Sequence, residues 1–106
     1  MNVNDKAREL ALYIRNTNEF KTMQKTKKDL DKNPTLKKQF DEYIDKKNSI
    51  YSRYKLEDAS KKISQLNRDY TKFFNHPLVE NYMQANRAYN TMMEKLYKQI
   101  EIELTK

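Results

Sequence analysis

The sequence predicts an all-α fold: an antiparallel helical bundle of four to five helices with a long C-terminal helix, self-associating. Three observations predict it. The 106 residues contain no Gly and only two Pro, and tight hairpins and phosphate-cradling loops both lean on Gly. Apolar residues recur at steps of three and four along the chain, the signature of one helix face. The last third carries the longest such seam: Val79, Tyr82, Asn86, Tyr89, Met93, Leu96 and Ile100. A helix spanning it is a rod of roughly 40 Å at 1.5 Å per residue. A compact domain of this length is only about 26 Å across, so the rod needs partners along its length. Leu, Ile, Val and Phe make up 21 residues, a thin core for a lone chain. A second copy is the natural way to bury more, and the seam is the candidate oligomer and partner interface.

The first helix is read from the stripe Val3, Ala7, Leu10, Ala11 and Ile14, with Asn2 or Asn4 as its cap. Asn16-Thr17-Asn18 interrupts it. Thr17 or Asn18 can cap a fresh helix, with Glu19 in its first turn complementing the dipole, and Phe20, Met23, Lys27 and Leu30 continue it. Asn33-Pro34 is the next start signal, a cap followed by proline at the first helical position. The stripe Leu36, Phe40, Tyr43, Ile44, Ile50, Tyr51 and Tyr54 then carries a helix to about Tyr54. A tight turn or kink falls near 55–57, an uninterrupted helix being the alternative. The seam Ala59, Ile63, Leu66, Tyr70 and Phe73 makes the following helix. Asn75-His76-Pro77 repeats the start signal before the last one. With no linker and no low-complexity tract, residues 1–106 read as a single helical domain.

No motif carries catalytic chemistry. The chain has no cysteine and one histidine, His76. Zinc sites need several ligands at defined spacing, and a His beside a Pro reads as a cap. Asp41-Glu42 and Glu57-Asp58 are adjacent and diverge around their helices. Without Gly there is no P-loop and no dinucleotide fingerprint. The expectation is a non-enzymatic protein with no cofactor and no metal. No apolar run approaches membrane-spanning length and no signal peptide is present, which predicts a soluble, cytoplasmic chain without membrane insertion.

Net charge is +7 at pH 7, concentrated in residues 1–56, where 14 basic and 8 acidic side chains fall. Lys25, Lys27, Lys28, Lys37, Lys38, Lys46 and Lys47 are the candidate contacts for an anionic partner, RNA included. The competing reading is a solvated surface, since only five of the 22 basic residues are Arg, the better phosphate fork. The eight tyrosines carry the same choice between base stacking and packing. Helical spacing puts Tyr43, Tyr51, Tyr54, Tyr70, Tyr82 and Tyr89 on or beside the stripes, while Tyr13 and Tyr97 lie off them as exposed contacts. Asn86 interrupts the last seam, either to fix register and oligomer state or to face water at its edge.

The ordered set of landmarks resembles the YlbF/YmcA family of small helical regulators from Gram-positive bacteria. The landmarks are Ala7-x-x-Leu10-Ala11, Thr17-Asn18-Glu19-Phe20-Lys21, Leu30-x-x-Asn33-Pro34, and Asn75-His76-Pro77-Leu78-Val79-x-x-Tyr82-x-x-Ala85 followed by Tyr89-Asn90 and Met92-Met93. The resemblance covers nearly the full chain. It implies self-association and regulation of competence, sporulation and biofilm formation. It also implies service as an adaptor beside a family paralogue or an endoribonuclease complex that cleaves messenger RNA. Two departures stand out. His76 replaces the Asn that usually precedes this Pro. The cysteines that hold an iron–sulfur cluster in some members are absent, so this chain cannot hold that cofactor.

Overall fold

The computed structural model describes residues 2–106. Among these the chain forms six helices and no strand: α1 (Val3–Arg15), α2 (Asn18–Asp31), α3 (Pro34–Arg53), α4 (Leu56–Asp69), α5 (Thr71–Phe74) and α6 (Pro77–Leu104). The all-α fold and the long C-terminal helix are as expected; α6 is 28 residues long.

The helix starts follow from short polar side chains. Asn2 accepts the Asp5 backbone N–H at 2.9 Å to open α1. Thr17 Oγ1 accepts from the Phe20 N–H at 3.2 Å and donates to the Ile14 carbonyl at 2.6 Å. One hydroxyl thereby closes α1 and opens α2. Asn33 accepts from the Leu36 N–H at 3.1 Å, with Pro34 as the first residue of α3. His76 Nδ1 accepts from the Leu78 N–H at 3.2 Å. The imidazole thereby acts as a side-chain cap, leaving the orphan donors of α6 partly satisfied.

Two sequence expectations need correction. The turn near 55–57 is real and falls one residue earlier. Tyr54 and Lys55 are both extended, with ψ of 152° and 157°, so α3 ends at Arg53 and α4 starts at Leu56. The helix read through Phe73 is two helices, which raises the count from four or five to six. Tyr70 leaves the helical region at φ −100°, ψ 17°, and the Thr71 hydroxyl donates to the Arg68 carbonyl at 2.7 Å across the break. Tyr70 at the break and Phe74 in α5 both contact the Tyr43 ring, at ring-centroid distances of 5.3 and 5.0 Å.

The chain divides into two compact units, Asp29–Glu80 and Met1–Lys28 with Asn81–Lys106. In the Asp29–Glu80 unit, α3 and α4 pair as an antiparallel hairpin: Tyr43 meets Asn67 and Tyr70, and Phe40 meets Phe73. Leu30, Leu36, Tyr43, Ala59, Leu66, Phe73 and Val79 are buried, each large apolar side chain contributing about 2 kcal/mol or more by its removal from water. In the other unit Ala85 is the one buried hydrophobic residue among those described. Phe20 and Tyr89 meet there at 5.8 Å. Leu10, Ile14, Met23, Met83, Met92 and Leu96 remain half-buried.

Candidate interaction surfaces

The C-terminal seam is graded along its length. Val79 is fully buried, Tyr82, Asn86, Tyr89, Met93 and Leu96 are half-buried, and Ile100 is exposed at 40%. Beyond it Ile102 and Leu104 are exposed at 53% and 78%, and Tyr97 at 60%. The last two turns of α6 therefore present apolar side chains to solvent. In the same unit α1 buries no residue and leaves Leu12 and Tyr13 in the open. The expectation that Tyr13 and Tyr97 lie off the packed stripes matches their exposure. Tyr51 and Tyr54 do not fit their expected stripe: both are exposed, at 52% and 42%.

The seven candidate lysines divide between the units. Lys25, Lys27 and Lys28 lie on α2 in one, and Lys37, Lys38, Lys46 and Lys47 on α3 in the other. Around α3, at about 100° per residue, Lys38, Lys46 and Lys47 are turned roughly 100°, 180° and 280° from Lys37. They encircle the helix instead of forming one stripe. Five of the seven are exposed, and Lys27 and Lys47 are half-buried.

One of these lysines belongs to a different arrangement, which sequence reading missed. Asp45, Lys46, Ile50, Arg53 and Tyr54 of α3 and its end, with Lys62, Leu66 and Asp69 of α4, line an open groove of about 560 Å³. Lys46 Nζ donates to the Tyr70 hydroxyl at 3.0 Å and lies 5.0 Å from that ring's centroid. This hydrogen bond, with the tyrosine's charge in second place, raises the Lys46 pKa above its usual 10.5. Lys62 Nζ sits 4.6 Å from the centroid of the Tyr54 ring, a cation–π contact on an exposed aromatic. Among the described residues, none of Lys46, Arg53 and Lys62 has a carboxylate within ion-pair distance. Periodicity shows which residues face inward on each helix. It does not show that cations from two helices converge once Tyr54-Lys55 folds α4 back on α3.

Among the described residues no group of three His, Asp or Glu side chains is placed to hold a metal ion, and no helix is long and apolar enough to cross a membrane. His76, the single histidine, is engaged at the α6 start.

No curated protein and no solved structure matches the chain. Residues 3–105 match the family described as control of competence regulator ComK, YlbF/YmcA. That match takes in all six helices and every landmark of the sequence, from the α1 stripe to the His76-Pro77 start of α6, and the chain belongs to this regulatory family.

Proposed function

We propose that this protein is a non-enzymatic regulatory adaptor acting in competence control, which associates with itself and docks protein partners. The family match over residues 3–105 carries the reading. Physical support comes from the Met1–Lys28 and Asn81–Lys106 unit. It buries only Ala85 among its described residues while leaving Leu12, Tyr97, Ile100, Ile102 and Leu104 exposed. A unit with so little core gains stability when another surface covers that face. The resemblance makes a family paralogue or an endoribonuclease complex the partner class, and RNA processing the process affected.

Affinity purification of the tagged chain from its own host tests this, with nuclease-treated and untreated halves compared by mass spectrometry. A protein partner retained after nuclease supports the adaptor. Partners that vanish with nuclease make RNA the ligand of the basic first half. Recovery of the chain alone leaves a structural oligomer.

A further inference from the structure

We propose that the groove between α3 and α4 is a docking site for an acidic amphipathic helix of a partner protein. This deepens the adaptor reading and rests on it. The floor is apolar, formed by Ile50 and Leu66, with Tyr54 as a wall. Three cations stand over it, Lys46 and Arg53 on the α3 side and Lys62 on the α4 side; they outnumber the two carboxylates of the lining, Asp45 and Asp69, and none of the three is within ion-pair distance of a carboxylate among the described residues. Apolar floor and cationic rim are the two halves of helix-in-groove recognition, apolar anchors entering and carboxylates meeting the rim. The stretch Asp45–Tyr54 along α3 is roughly 15 Å at 1.5 Å per residue, nearly three helical turns. That accommodates anchors at i, i+3 or i+4, and i+7 of the incoming helix.

Other occupants fit less well. The groove is open along its length, so it cannot enclose a small molecule as ligand pockets do. Asp45 and Asp69 also line it and would repel a phosphate backbone, while an amphipathic helix can place a neutral or basic residue beside each. A second copy lacks the charge. In α1, Asp5 and Glu9 face Lys6, Arg8 and Arg15; the last turns of α6 with the two residues that follow it balance Glu94, Glu101 and Glu103 with Lys95, Lys98 and Lys106. Neither amphipathic segment is net acidic.

The probe is a synthetic twenty-residue helical peptide with Leu on one face and Glu on the other, beside a counterpart with every Glu replaced by Lys. Each is titrated into the isotope-labelled full chain and followed by backbone amide NMR shifts. The Glu peptide should move the amides of Ser49, Ile50 and Gln65, which line the groove, and the Lys peptide should not. Arg53→Glu with Lys62→Glu, both exposed positions, should weaken the Glu peptide by about tenfold or more through like-charge contacts, with helical content unchanged. Any of four results in this titration overturns the proposal: no shift at these amides with the Glu peptide; equal binding by the double variant; the same shifts with an oligouridylate; or shifts at these same amides on dilution without peptide, which would make a second copy the occupant. A nuclease-resistant partner captured equally well by the double variant would overturn the groove while leaving the adaptor reading intact.

Discussion

The Tyr43 hydroxyl on α3 donates a 2.6 Å hydrogen bond to Asn67 Oδ1 on α4, joining residues 24 apart in sequence. The Tyr43 ring is buried beneath it, with Tyr70 and Phe74 against its faces and edge. The bond and the ring do different jobs. The ring fills the hairpin core; the hydroxyl pins the register of the two helices. Tyr43→Phe removes only the bond, and exposed Asn67 can turn to water, so about 1 kcal/mol or less is lost. Tyr43→Ala also empties the ring site, at about 3–5 kcal/mol. Urea unfolding followed by circular dichroism should rank the two variants in that order.

The same phenol gives a pH dependence with a definite sign. Burial, with Tyr51 as a lesser cause, raises the Tyr43 pKa above its usual 10.0. The folded chain therefore holds this proton at a pH where the unfolded chain has released it. The stabilisation is complete below pH 10 and declines as pH rises through the folded value. Unfolding midpoints measured from pH 9 upward should fall for the native protein, and the fall should be shallower in Tyr43→Phe. An equal slope in both would assign the loss to other groups.

At the start of α6 the cap depends on one lone pair. The Leu78 N–H points at His76 Nδ1 at 3.2 Å, and Pro77 supplies no donor of its own. His76→Ala should cost about 1 kcal/mol, the usual loss for a side-chain cap. His76→Asn should retain most of it, because an amide oxygen at that position accepts the same N–H. Thermal unfolding of the two variants decides the matter, and equal loss in both would show that the imidazole contributes by packing.

Helix identity and caps were legible in the sequence because they are local. Asn33-Pro34 and His76-Pro77 announce their helices within three residues, and the structure places the starts there. The break at Tyr70 was not legible. Thr71 is unremarkable within a helical seam, and nothing in its neighbours announces that its hydroxyl donates to the Arg68 carbonyl while Tyr70 and Phe74 pack on the Tyr43 ring, supplied by another helix. The α3–α4 groove was hidden for the same reason. Lys62 and Arg53 lie on different helices, and each alone reads as a solvated charge.

The apolar end of α6 separates folding from association. Met93 is half-buried within its own chain, whereas Ile100 is 40% exposed. Met93→Asp buries a charge against its own chain's packing and should lower thermal stability whether or not the protein associates. Ile100→Asp meets mostly water in an isolated chain and should change stability by no more than about 0.5 kcal/mol there. If α6 pairs with a second copy through its last turns, the same aspartate falls in an apolar interface and opposes association. Sedimentation velocity across a concentration series should then shift Ile100→Asp toward the monomer at unchanged helical content. A native-like sedimentation profile for Ile100→Asp would move the self-contact away from the end of α6, leaving exposed Leu12 and Tyr13 on α1 as the next surface to substitute.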